Sequence, residues 1–186
     1  MPAFDLFAQA LPYADFLTQY GTPADHTRWD AVRAGVIVTD EQKKLLSAFK
    51  RTTNVLFLAG AWCGDCSGQC PIMERFAEIA PTIVIRYLDR DAYPAVQAEL
   101  TINGGNRVPV AVFYSEDGQE VARYGERTLS KYRRMVSSLL ENVLPDPNSA
   151  TPAEHASAIV ADWLREIERV QWILRLSPRL RRLHAD

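Results

Sequence analysis

The stretch that decides the fold of this chain runs from Asn54 to Cys66 and reads NVLFLAGAWCGDC. Its first six residues are an apolar run rich in strand-forming side chains and bounded by Gly60, a pattern typical of a buried strand. Beyond Cys66, apolar residues recur at helical spacing as far as Pro81. The two cysteines of this stretch therefore lie where a strand passes into a helix.

Cys63 and Cys66 are separated by two residues, a spacing that allows a small disulfide ring to close and reopen. The start of a helix presents unpaired N–H groups and a partial positive charge, and both stabilise a thiolate. We therefore expect the pKa of Cys63 to fall below its ordinary value, and Cys66 to lie one turn deeper and better shielded. In that arrangement Cys63 attacks a disulfide and Cys66 resolves the intermediate.

The sequence after the pair alternates between apolar runs and helical patterns, with a turn signal at residues 116–118. We expect strands at residues 82–89, 110–114 and 119–124, and helices at residues 93–100 and 129–143.

These features together resemble the thioredoxin family over roughly residues 45–145. The motifs that carry the resemblance are the W-C-x-x-C string, Pro71, the D-x-x-P of Asp91 to Pro94, Val108-Pro109 and Gly125. The resemblance implies an α/β fold with three α/β/α layers and a central mixed sheet.

The resemblance also implies the composition of the site. Val108 and Pro109 match the family's cis-proline loop, which lies against the cysteine pair and presents backbone groups to a substrate. Trp62, Gly64 and Asp65 complete the residues that support Cys63 and Cys66.

The chain departs from the family at three positions. Phe57 occupies the place of a buried carboxylate that is thought to take the proton of the resolving cysteine, so Cys66 is expected to lack a buried base. Asp65 replaces a proline between the cysteines, and its charge is expected to disfavour the Cys63 thiolate. Cys70 is an additional cysteine, interpreted as an apolar helix residue or as a third redox thiol.

Composition excludes several classes of partner. The net charge of −2 does not favour binding to nucleic acid or to an anionic membrane. No apolar run is long enough to span a bilayer. Polar residues interrupt the first 27 residues, which hold no Lys or Arg, so a secretory signal is not expected. Two of three cysteines in one Cys-x-x-Cys motif predict a cytoplasmic redox protein.

Helical extensions are expected on both sides of the central domain. Residues 1–44 form an N-terminal extension that packs on the domain of residues 45–145, and residues 146–186 form a C-terminal helical extension after a proline-rich break. An apolar stripe in the last extension favours packing within the molecule over a dimer contact. Its members are Ile159, Val160, Trp163, Ile167, Val170 and Leu174.

The function predicted from these observations is thiol–disulfide exchange. The expected partners are a disulfide-containing protein substrate and an upstream reductant, and no organic cofactor is required because no Gly-rich dinucleotide motif is present. Two alternatives remain open: a binding or scaffold module with little turnover, and a metal or iron–sulfur carrier that uses Cys63, Cys66 and Cys70. The second lacks a fourth ligand, since all three histidines lie far away in sequence.

Overall fold

The computed structural model describes residues 4–140 and 151–186, and a four-stranded sheet forms its centre. The strands are β1 (Thr53–Ala59), β2 (Ile83–Asp89), β3 (Val110–Ser115) and β4 (Glu120–Gly125), in the order β2-β1-β3-β4. The central strand β1 pairs in parallel with β2 and antiparallel with β3, which pairs antiparallel with β4. This mixed sheet, with helices on both sides, confirms the predicted α/β thioredoxin-like fold.

Every residue of β1 and β3 is buried, because helices cover both faces of the sheet. The helices that precede β1 are α1 (Asp5–Gln9), α2 (Tyr13–Tyr20), α3 (Pro23–Gly35) and α4 (Asp40–Ser47). The later helices are α5 (Gly64–Ser67), α6 (Cys70–Ile79), α7 (Pro94–Glu99), α8 (Leu129–Leu139), α9 (Pro152–Leu176) and α10 (Pro178–His184). The expected end of the 129–143 helix and the proline-rich break at 145–149 lie outside the described residues. No helix in the described ranges is long and apolar enough to cross a membrane.

The N-terminal helices pack on the sheet through aromatic rings. Phe16 of α2 is fully buried and stacks on Tyr87 of β2 with ring centroids 5.2 Å apart. Leu11 exchanges backbone hydrogen bonds of 2.9 and 2.7 Å with Tyr87, so the chain before α2 joins the edge of the sheet. These contacts attach the N-terminal helices to the sheet, and the division of the chain at residues 44 and 146 stays a prediction.

The C-terminal helix α9 packs within the molecule. Trp163 is fully buried, with its ring 5.7 Å from Phe57 and 5.0 Å from Tyr124. Farther along α9, the buried amide of Gln171 donates 2.7 Å hydrogen bonds to the Arg51 carbonyl and to Thr53 Oγ1. These contacts confirm the intramolecular interpretation of the apolar stripe and fix α9 against the start of β1.

The helix after the cysteines is interrupted rather than continuous. Gln69, with φ −131° and ψ −48°, separates α5 from α6. Its fully buried side chain donates to the Glu126 carbonyl at 2.9 Å and accepts from the Thr128 N–H at 3.2 Å. Pro71 lies in the first turn of α6, where its missing N–H leaves no bond unmade. The break therefore ties the active-site segment to the loop before α8.

Candidate functional site

Cys63 is the N-cap residue of the four-residue helix α5. Its Sγ accepts the backbone N–H of Cys66 at 3.3 Å, while the Cys66 Sγ accepts the N–H of Gly60 at 3.5 Å. Both are free thiols; Cys63 is 8% exposed and Cys66 is fully buried. The predicted asymmetry is therefore present, with Cys66 the better shielded of the two.

The expected lowering of the Cys63 pKa is wrong for this dithiol form. The hydrogen bond with the Cys66 thiol and the burial of the group both raise the pKa of Cys63. The backbone N–H groups of Cys66 and Asp65 act in the opposite direction but do not outweigh them. The physical reason is that a four-residue helix offers few N–H groups, whereas a buried neighbouring thiol competes for the same proton.

The loop before β3 lies against the reactive sulfur. The Val108 carbonyl is 3.6 Å from the Cys63 Sγ, and the Val108–Pro109 peptide bond is cis. A Cβ on Gly125 would lie 2.5 Å from the Pro109 carbonyl oxygen, so only glycine fits at this position of β4. The structure thus brings Cys63, Val108 and Pro109 together.

Two exposed residues flank Cys63. Trp62 is 49% exposed, and the Arg90 guanidinium lies 4.5 Å from its ring centroid. A Cβ on Gly60 would lie 2.8 Å from the same ring, so glycine allows the indole to lie flat against the loop. Gly64 is exposed with open space around it. The surface beside the thiol therefore consists of an aromatic ring and an unobstructed backbone.

Asp65 is paired, contrary to the expectation that its charge repels the Cys63 thiolate. Its carboxylate lies 2.6 Å from a nitrogen of Arg127 and 2.6 Å from the Lys131 Nζ. Burial raises the pKa of this carboxyl, but Lys131 and Arg127 outweigh burial and lower it overall. The two cations neutralise Asp65, and the ion pairs attach α5 to the beginning of α8.

Hydrogen bonds from α3 hold the loop before the cysteines in place. Trp29 Nε1 donates to the Ala61 carbonyl at 2.8 Å, and Arg28 donates to the same oxygen at 3.1 Å and to Ser67 Oγ at 3.0 Å. Trp29 is fully buried. Sequence reasoning missed these residues, for which the only signal was a tryptophan within an otherwise polar stretch.

Cys70 lies beneath the pair. It is fully buried at the start of α6, four residues after Cys66. Burial raises the pKa of Cys70. In residues 4–140 and 151–186, no group of three or more His, Cys, Asp or Glu side chains is arranged to hold a metal ion.

A carboxylate missed at the sequence level lies one helical turn after Cys70. Glu74 is half-buried and accepts a 2.8 Å hydrogen bond from the Tyr87 hydroxyl. Burial raises the pKa of Glu74. Phe57 stacks on the ring of the same Tyr87 with ring centroids 5.4 Å apart, so Tyr87 contacts both the strand position that lacks a carboxylate and the helix position that has one.

The family model described as Thioredoxin matches residues 10–139. The match thus takes in most of the N-terminal helices as well as the whole sheet. No curated protein matches the chain at a significant level.

Two solved structures share the fold along most of the chain. A protein of unknown function from Pseudomonas aeruginosa is 14% identical with a TM-score of 0.69, over 91% of this chain and 97% of that one. An HIV epitope-scaffold protein is 13% identical with a TM-score of 0.65, over 89% and 94%. A Fasciola hepatica thioredoxin is 26% identical with a TM-score of 0.35, over 52% and 88%.

Proposed function

This chain belongs to the thioredoxin family, and from that premise we propose that it is a thiol–disulfide oxidoreductase that reduces protein disulfides through Cys63 and Cys66. The observation that carries the proposal is the geometry of Cys63. Its sulfur caps α5, accepts a backbone N–H and lies 3.6 Å from the Val108 carbonyl, at the mouth of the site between Trp62 and Gly64.

The first step is attack of the Cys63 thiolate on one sulfur of the substrate disulfide. A bond forms between the Cys63 Sγ and that sulfur, the substrate S–S bond breaks, and the other sulfur leaves as a thiolate that takes up a proton. When Cys63 loses its proton, the hydrogen bond between its thiol and Cys66 is lost as well. That hydrogen bond is the largest of the influences that raise the pKa of Cys63.

The second step is attack of Cys66 on the Cys63 sulfur. The Cys63–Cys66 bond forms, the mixed disulfide breaks, and the second substrate sulfur leaves as a thiolate that takes up the proton lost by Cys66. The protein is oxidised by two electrons and the substrate is reduced by two. An upstream dithiol reductant must return these electrons, and no organic cofactor takes part in either step.

The fixed backbone around the pair supports this cycle. The bonds from α3 to Ala61 and from Gly60 to Cys66 hold both sulfurs in one place. The exposed Trp62 ring gives a substrate chain an apolar contact beside the reactive thiol. A cytoplasmic location is part of the same proposal, because a reducing compartment keeps such a pair reduced.

Insulin-disulfide reduction, driven by dithiothreitol, tests the proposal. We expect the wild-type chain to accelerate reduction and Cys63→Ser to abolish the effect. Cys66→Ser should accumulate mixed disulfides that dithiothreitol releases, while Cys63→Ser should trap almost nothing. A wild-type chain without activity would favour the alternative of a binding module. Equal trapping by the two variants would contradict the assigned roles.

A further inference from the structure

A basic cleft opens beside the cysteine pair, between α8 and the start of α9. It has a volume of about 500 Å³ and is lined by Asp65, Arg127, Lys131, Arg134, Met135, Ser138 and His155. Asp65 belongs to α5, two residues after Cys63, so the cleft begins next to the exposed Gly64. Arg127, Lys131 and Arg134 line the cleft with one carboxylate, that of Asp65, and Arg127 is also paired at 2.8 Å with Glu126, which does not line the cleft.

The cationic side chains of the cleft differ in whether they have an ion-pair partner. Arg127 and Lys131 are both paired with Asp65, whereas Arg134 is exposed and has no ion-pair partner among the described residues. Burial lowers the pKa of His155, and Arg134 and Lys131 lower it further. Arg134 therefore gives the cleft a positive charge that no described side chain pairs, and this charge attracts an anionic ligand.

The shape of the cleft suits an extended chain. Arg127 precedes α8, and Lys131 and Arg134 follow on one face of the helix at a spacing of three residues. Within α8 the backbone rises by about 4.5 Å from Lys131 to Arg134, the length of one to two residues of an extended strand, and Arg127 lengthens the stripe beyond the start of the helix. One carboxylate or phosphate occupies only part of such a stripe.

We propose that this cleft binds an acidic segment of the substrate protein, with two or more carboxylate side chains near the disulfide that Cys63 attacks. This inference rests on the proposed function and names its substrate class. Carboxylates of the segment contact Arg134 and share Lys131 and Arg127 with Asp65, while Met135 contacts the aliphatic parts of the chain. The contacts orient the disulfide toward the sulfur that lies between Trp62 and Gly64.

The test separates binding from turnover. Three peptides of equal length carry one disulfide flanked by glutamate, serine or lysine triplets, and their reduction by the full chain gives kcat/KM. Fluorescein-labelled glutamate and serine peptides, each with serine in place of its cysteines, report binding by anisotropy. The variants are Arg134→Glu and the matched control Arg133→Glu, an exposed neighbour that does not line the cleft.

We expect the wild-type chain to prefer the glutamate peptide over the serine peptide in both assays, and high ionic strength to diminish that preference. Arg134→Glu should reduce the preference about ten-fold, because it converts one favourable exposed charge contact into an unfavourable one. Arg133→Glu should leave the preference unchanged.

Equal binding of the glutamate and serine peptides, or equal effects of the two variants, would overturn the inference. Competition by phosphate or glutathione disulfide as strong as that of the glutamate peptide would also overturn it, since the cleft would then be a site for small anions. If the glutamate peptide binds selectively but no peptide is reduced, the cleft stands and the oxidoreductase proposal fails.

Discussion

The ion pairs of Asp65 allow a quantitative prediction about the link between α5 and α8. The Asp65→Asn variant removes the negative charge that Arg127 and Lys131 share, while an amide oxygen of nearly the same shape remains. All three side chains are about one-fifth exposed, so these pairs are partly shielded from water and screened less than surface pairs.

The expected loss follows from these contacts. A hydrogen bond to a charged group contributes roughly 1.5–3 kcal/mol, and asparagine retains one acceptor for two donors. We therefore expect the free energy of unfolding to fall by about 2–3 kcal/mol, and Tm to fall by about 4–12 °C for a chain of this size. Without the Asp65 charge, Lys131 and Arg127, which keeps its ion pair with Glu126, should also lower the pKa of Cys63 by stabilising its thiolate.

The assay combines thermal unfolding with titration of thiolate absorbance near 240 nm, a region where thiolates absorb and thiols do not. The matched control is Asp40→Asn, because Asp40 is 93% exposed and pairs with Lys43 on the surface, where loss of the pair costs at most about 1 kcal/mol. Equal Tm shifts in the two variants, or an unchanged Cys63 pKa in Asp65→Asn, would refute the reasoning.

Three further predictions concern buried groups. Gln171→Met keeps the volume of a fully buried side chain but removes its hydrogen bonds to the backbone just before β1. The free energy of unfolding, measured in urea, should therefore fall by about 3 kcal/mol. A fall of less than about 1 kcal/mol would contradict this. Phe57→Asp places a charge in an aromatic stack and should cost about 5 kcal/mol or more without a gain in turnover; a folded variant with faster insulin reduction would disprove this. Burial raises the folded pKa of Glu74 above its unfolded value, so the wild type loses stability as pH rises through the folded pKa. Glu74→Gln should therefore be more stable than the wild type at neutral pH and show no such advantage below the unfolded pKa of about 4, as measured by denaturant unfolding at several pH values.

The strands and the cysteine pair were predictable because their signals are local. Apolar runs bounded by turn residues placed all four strands within one or two residues of their observed ends. The position of Val108 beside Cys63 was implied by the resemblance of Val108-Pro109 to the cis-proline loop of the thioredoxin family, and not by any local pattern.

The electrostatics of the site were not predictable, because they depend on partners that are distant in the chain. Asp65 meets Arg127 and Lys131 only after the sheet brings α5 and α8 together. The pKa of Cys63 depends on burial and on its hydrogen bond to Cys66, neither of which a Cys-x-x-Cys spacing specifies.

The interruption near Gln69 is signalled in part by the sequence, because Gly68 and Pro71 flank it and both disfavour a continuous helix. Its exact position was not predictable, since the Gln69 side chain bonds the Glu126 carbonyl and the Thr128 N–H, which are distant in the chain. The helix α3 was not predicted because its sequence is mostly polar and lacks a clear apolar stripe. Thr22 and Asp25, which form a capping box, mark its start.

The hydrogen bonds from α3 to the Ala61 carbonyl have a consequence for protein engineering. The Ala61 carbonyl belongs to a fully buried residue, and both of its donors, Trp29 and Arg28, come from the N-terminal helices. A fragment cut at residue 45 would leave that oxygen without protein donors directly before Trp62, and would uncover the aromatic face of Tyr87. The loop that carries Cys63 and Cys66 would lose these hydrogen bonds if it were transplanted alone. A graft that is meant to keep the geometry of the loop therefore has to include α3.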